Sequence, residues 1–356
     1  QRGDTQHYAS YRRSDALRLS SRAWFESPPR GADAPINRQA ARLLAEGLVT
    51  QTGPLLRTYR LAIAATGEYT QFHGGTVALG LAAITTAMNR INGIYEREVS
   101  LRMELVANND NLIYTDSGSD PYTNDDGDAL LGENQTNVDN VIGNGNYDVG
   151  HVFSTGGGGV AELGSVCDNT RKAQGVTGSS NPTGDPFWVD FVAHELGHQW
   201  GGTHTFNATT GNCNGNINAA TAYEPGSGTT IMGYAGICAP QDIQPNSNDY
   251  FHSASFDQIV AHIAAIGACG SSAATGNNTP VPNAGASGFA IPRSTPFELS
   301  GSATDVDGDP LSYCWEQWDL GPAGNPNMPI GDAPLFRSFS PVASPTRVFP
   351  QLSDLL

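Results

Sequence analysis

The chain has 356 residues, 38% of them hydrophobic and 42 of them glycine, which suits a loop-rich globular protein of two domains and part of a third rather than a long helical bundle. No apolar run approaches the roughly 18–20 residues that span a bilayer, which argues against membrane insertion. The formal net charge of −17 divides into +5 over residues 1–60 and −22 over the rest, and so acidic a body repels the phosphates of nucleic acid.

Residues 1–51 are rich in arginine and proline with little periodicity, and read as a linker or prosegment remnant carrying a short helix near Asn37–Gly47. The chain opens at Gln1, as a mature or trimmed product would. Arg2-Gly3-Asp4 spells an adhesion tripeptide, but matches of three residues are common by chance. Order is expected from Leu56. TYRLAIAA (58–65) alternates and then runs apolar as a buried strand does. Residues 76–94 place apolar side chains at helical spacing. VSLRMELVA (99–107) reads as a second strand, and a loop rich in Asp, Asn and Gly follows to about Asn137. DVGHVFST (148–155) and the shorter GVAELGSVC (159–167) read as further strands, making an α/β layer with a mixed sheet. Asp185 and Pro186 signal a helix start, Asp185 as cap and Pro186 at the first turn. FWVDFVAHELGHQW continues that helix to Gly201. An irregular stretch, 205–251, precedes a last helix, Ser255–Ile266. Beyond a linker near 271–282, short strands between turn residues suggest a β-sandwich that stops before seven strands are complete.

The segment VAHELGHQWGGTH (192–204) carries the chemistry. His194 and His198 are four residues apart, which on a helix sets both imidazoles on one face, within reach of one metal ion. His204 lies too far along a continuous helix to join them, so the chain must turn back. Gly201 is placed for that turn, because glycine enters positive φ without steric cost. Three histidine ligands leave one position on zinc for water. The metal lowers the pKa of that water and Glu195, beside the first histidine, takes its proton and later passes it to the leaving amine. That is the logic of zinc peptidases. A structural zinc site would have no use for Glu195.

HExxHxxGxxH resembles the signature of the metzincin clan of zinc endopeptidases. The resemblance implies an α/β (α+β) catalytic domain with a mixed, mostly parallel sheet and an active-site helix. It also implies a methionine turn, matched by Met232 in TTIMGYAGIC (229–238), as an apolar floor under the imidazoles. Tyr234 matches the tyrosine that some branches set beside zinc, where it assists the oxyanion. HTFN at the third histidine, IMGYAGIC and TYRLAIAATGEYTQFHGG look like bacterial reprolysin-like secreted metalloproteases, over about Leu56 to Gly270. Pappalysin-like enzymes, which also read HTF there, are the alternative branch. Animal reprolysins carry Asp directly after the third histidine, and this chain has Thr205, which leaves the anchoring of His204 open. The strand around Gly158–Gly164 fits the edge strand that pairs with substrate backbone in this clan.

Cys167, Cys213, Cys238, Cys269 and Cys314 form no CxxC pair; two disulfides and one leftover suit an exported protein. Cys213 and Cys238 bracket the wall between zinc helix and methionine turn, and the resemblance suggests Cys167 with Cys269; four cysteines allow three pairings. Asp110, Asp116, Asp120, Asp125, Asp126 and Asp128 crowd one loop and offer calcium ligands, against the plainer reading of a solvated acidic loop. Asp148 weakly matches a calcium ligand of the reprolysins, but Arg60 stands where some of them carry a first-strand glutamate. Asp305, Asp307, Asp309 and Glu316 have EF-hand spacing, but Pro310 occupies the place of the required glycine, so a turn between strands is expected. His7, His73, His151, His252 and His262 show no partner spacing.

The expected organisation is a linker or prosegment remnant (1–51), a zinc metallopeptidase domain (52–270), a linker (271–282) and a truncated β-sandwich of PKD or cadherin-like type (283–356). The expected protein is a secreted, monomeric endopeptidase with one catalytic zinc ion and protein or peptide substrates. An adhesin-like binding protein with a silent or structural zinc site is the rival.

Overall fold

The computed structural model describes residues 31, 35–45, 51–292 and 294–351. The Arg2-Gly3-Asp4 tripeptide and His7 lie outside the described residues. In chain order the main elements are α1 (Pro35–Ala45), β1 (Leu55–Ala65), α2 (Gly67–Phe72), α3 (Val77–Val99), β2 (Leu101–Leu105), α4 (Gly127–Val141), β3 (Val149–Ser154), β4 (Gly158–Ala161) and β5 (Gly175–Gly178). A composite helix follows: α5 (Asp185–Phe187), a π-helical turn (Trp188–Val192) and α6 (Ala193–Gln199). Then come α7 (Ser253–Ile266), β6 (Ser271–Ala274), β7 (Val281–Asn283), β8 (Phe297–Ser300), β9 (Ser302–Thr304) and β10 (Thr346–Phe349).

The main sheet runs β2-β1-β3-β5-β4. The β1–β2, β1–β3 and β3–β5 pairs are parallel, and β4 closes the edge antiparallel to β5. This is the mixed, mostly parallel sheet expected. Alternation along β1 decides what each face meets. Leu61, Ile63 and Ala65 point to the face covered by α3 and the composite helix, sharing a core with Ile84, Ile91, Tyr95, Leu196 and Trp200. Ala62 and Ala64 point the other way, into a core with Leu130, Leu131 and Val138 of α4. Tyr59 meets Trp200 edge-on with ring centroids 4.6 Å apart, an arrangement that contributes about 0.5–1.5 kcal/mol beyond area burial.

Four departures from the sequence reading have physical causes. First, the expected loop from Asn108 to Asn137 contains most of α4's length. Asp126 caps that helix, accepting from the Ala129 amide at 3.0 Å. Its Asn and Gln side chains are buried through specific bonds, such as Asn134 Nδ2 to Ala173 O at 2.6 Å; a polar helix face therefore read as loop. Second, β5 passed unnoticed because GVTG is short and half glycine. Third, Asp185 does not cap its helix. Gly184 holds the cap position, and the Asp185 carboxylate takes Arg90 of α3 at 3.0 and 3.1 Å. Fourth, residues 271–274 are not linker in form: β6 pairs antiparallel with the first half of β1. Before β1, α1 lies against α7, and Asn37 Nδ2 donates to Leu163 O at 2.7 Å.

Both disulfides weighed in the sequence are present, Cys167–Cys269 and Cys213–Cys238, and Cys314 is free. Later in the chain, β10 pairs with β8 and β7 with β9, both antiparallel, in keeping with a β module. No helix among the described residues is long and apolar enough to cross a membrane.

Candidate active site

The geometry begins with how α6 ends. Gly201 adopts φ +93°. Its amide donates to His198 O at 2.8 Å, and the Gly202 amide donates to Gly197 O at 2.8 Å. These are the two crossed bonds of a Schellman closure, which needs a residue at positive φ just past the cap. The chain reverses there and brings His204 back beside the helix.

The three imidazoles meet. His198 Nε2 lies 3.0 Å from His194 Nε2 and 3.0 Å from His204 Nε2, and all three residues are buried. Each Nδ1 faces a backbone carbonyl: His194 to Ile231 O at 2.6 Å, His198 to Gly202 O at 2.7 Å, His204 to Asn216 O at 2.6 Å. A carbonyl can only accept, so each Nδ1 carries the proton and each Nε2 turns a lone pair inward. Three converging lone pairs of this kind are the donor set of a metal ion, with outer carbonyls holding the ring orientations. Nitrogens around tetrahedral zinc stand about 3.3 Å apart, close to the spacing found. The residues present therefore fit a metal, and the three histidines form one of the side-chain groups able to hold an ion.

Around this centre the other expected residues gather. Glu195 is fully buried, and its Oε1 lies 2.1 Å from where a Cβ on Gly159 would stand, so its carboxyl group presses against the backbone of β4. Met232 is fully buried in the core under α6, its sulfur packed against Gly197. The Tyr234 ring sits 4.6 Å from that of His204 and 5.5 Å from that of His194, and packs at a tilt on Phe206 with centroids 4.4 Å apart. A cavity of about 330 Å³ adjoins β4, lined by Ser154, Gly158, Gly159 and the start of α4 at Asp126.

The profile of metallo-peptidase family M12B, Reprolysin-like, matches residues 55–262. The chain belongs to that family. The match runs from β1 into α7 and so takes in β1 to β5, the composite helix and the segment around Met232 of this reprolysin-like metallopeptidase. No curated protein matches the chain. A solved structure described as "Structure of a chaperone-substrate complex" aligns with a TM-score of 0.38 at 14% identity, covering 59% of this chain and 35% of that one; likeness so slight carries no argument.

The remaining histidines have structural places in the reprolysin-like domain. His151 bonds Gln199 and Thr177 at 2.8 Å each, and burial pushes its pKa down to about 4. His252 accepts from the Ala254 amide at the start of α7. His73 packs on Tyr69. Three carboxylates of the acidic loop accept backbone hydrogen bonds: Asp120 from Gly67 and Tyr122, Asp116 from Gly118, and Asp126 from Ala129 as the cap of α4. Asp148 is held by Arg60, at 2.7 and 3.1 Å. One buried group escaped the sequence reading: Glu224, 1% exposed, between the third histidine and the methionine turn. Its only sequence signal is a lone acid among small and apolar residues, AYEPGSGTT.

Proposed function

We propose that this chain is a secreted zinc endopeptidase that hydrolyses peptide bonds in protein substrates. His194, His198 and His204 hold the zinc ion. Zinc bound there supplies Lewis acidity, acidifying a water and polarising the scissile carbonyl. Glu195 takes the proton of the attacking water and delivers it to the nitrogen of the leaving amine, restoring its carboxylate for the next cycle. Tyr234 donates its hydroxyl to the oxyanion as the carbonyl becomes tetrahedral. Met232 floors the centre, and Gly201 makes the reversal that brings in His204. The edge of β4, beside the cavity that Gly158 and Gly159 line, receives the substrate backbone as an added strand. The domain divisions expected from sequence are part of the proposal, with 52–270 as the catalytic unit. Secretion is supported by the two disulfides, since such bonds persist in oxidising compartments.

The observation that carries this reading is the convergence of three Nε2 lone pairs, with buried Glu195 next in sequence to His194 and its carboxyl group against the edge strand β4. Calcium is left out of the reading, because the Asp148 oxygens are engaged by Arg60 and Asp116, Asp120 and Asp126 of the acidic loop accept backbone hydrogen bonds. The test compares cleavage of casein and of a quenched peptide library by the wild type and by Glu195→Ala, with zinc measured by elemental analysis. Cleavage should fall at least 10²-fold while zinc content stays equal. Zinc-loaded wild type that cleaves nothing would favour a binding protein.

A further inference from the structure

Glu224 plays no part in the chemistry above, yet its carboxylate is the most heavily bonded in the catalytic region. Oε1 accepts from the Thr205 hydroxyl at 2.7 Å and from the Thr230 hydroxyl. Oε2 accepts from the amides of Thr229 at 2.7 Å and Thr230 at 3.1 Å, with the Thr229 hydroxyl at 3.0 Å. The Glu224 amide donates to Thr205 O at 2.8 Å. These donors are all neutral, and burying a charge costs free energy unless bonds of this kind offset it.

What those bonds connect is informative. Thr205 directly follows His204, and its amide donates to Met232 O at 3.2 Å. Thr229 and Thr230 lead into Ile231, whose carbonyl accepts from His194 Nδ1 at 2.6 Å. A single carboxylate thus joins the residue after the third histidine to the turn that orients the first.

We infer that Glu224 is a positioning residue of the metal centre: it clamps the methionine turn to the His204 segment and so sets the relative orientation of His194 and His204. The inference rests on the metal-site reading. Outer partners bonded directly to the ligands hold ligand geometry, and their loss typically weakens metal affinity 10- to 100-fold; Glu224 acts one bond further out, so its loss falls at the low end of that range. Glu224→Gln keeps the size of the side chain but turns an NH2 toward donors. Thr205→Val removes one hydroxyl and keeps the branched shape.

The experiment measures zinc affinity by chelator competition and the visible spectrum of the cobalt-substituted protein, for the wild type and both variants. Glu224→Gln should raise the zinc Kd roughly 10-fold and shift the cobalt bands. Thr205→Val should move both in the same direction by less. Variants with lower Tm but unchanged Kd and cobalt spectrum would overturn the inference, leaving Glu224 a purely structural group. Should Glu224→Gln fail to fold, Thr205→Val decides: unchanged affinity overturns the inference, and weakened affinity supports it. A wild type that binds no zinc would instead sink the metal-site reading itself.

Discussion

At the scale of single residues, the site is a set of close approaches that tolerate little. Gly159 of β4 shows this best. A methyl there would stand 2.1 Å from Glu195 Oε1 and 2.5 Å from Glu195 Cδ, so the carboxyl group must swing away. The Gly159 backbone needs no positive φ, so alanine leaves β4 able to form. Gly159→Ala should therefore retain zinc while kcat/KM drops by about 10²-fold, as misplacing a reacting group by an ångström does. Unchanged kinetics would show that the carboxyl group has room that its contact with β4 denies. Histidines and glutamate alone do not make the site; the absence of one methyl group is as much a requirement.

At the scale of elements, two helices reward attention. The composite helix includes a π-helical turn at Trp188–Val192, directly before α6, which carries His194 and His198. Such insertions often sit at functional sites, and the apolar pattern of FWVDFVAHELGHQW gave no sign of it. On α7, His262 is fully buried against Trp200 and the Gly201 reversal. Burial, assisted by the nearby Arg171 charge, pushes its pKa down to about 4. The native state thus keeps His262 neutral at pH values where an unfolded chain, with histidine near 6.5, already binds a proton. The sign follows: the associated stability is fully present above pH 6.5 and is lost as pH falls from 6.5 toward 4, by up to about 3 kcal/mol. His262→Leu removes that proton linkage. Urea unfolding of metal-free protein at pH 6.5 and 4.5 should show a shallower loss of stability for the variant. Equal losses would mean that His262 is accessible to protons in the native state.

At the scale of the whole molecule, the later β strands are not an appendage hanging from a tether. Ser338 Oγ bonds both Tyr250 and Glu316 at 2.7 Å, and Glu316 accepts from the Ser253 amide at the start of α7 at 2.7 Å. Thr229, one of the Glu224 partners, lies 3.2 Å from Ser338 O. Trp318 stacks on Tyr223 with centroids 4.5 Å apart, and the Gly324 amide donates to Asn207 O at 3.0 Å. Ending the chain at Gly276 keeps β6 but removes all of these. The shortened protein should melt roughly 5–10 °C lower and bind zinc more weakly, because the methionine-turn wall loses its outer support. An unchanged Tm and zinc affinity would mean that the two parts fold independently.

Much of the candidate site was legible because it obeys local rules. The i, i+4 histidines, the glycine that permits a reversal and the alternation along β1 are each readable within a dozen residues, since helix and strand periodicity fix which side chains share a face. The helix α4 and the strand β5 were hidden because their stability comes from partners far along the chain: buried amides such as Asn134 need a carbonyl at Ala173 that no local pattern announces. Glu224 was hidden for the same reason, since its five donors come from Thr205, Thr229 and Thr230 and meet only after the loop between them closes. The sequence by itself determined which side chains could hold a metal and move a proton. The tertiary structure decided how those side chains are oriented, because ring tautomers, carboxyl placement and the edge of β4 all depend on hydrogen bonds and contacts between segments tens of residues apart.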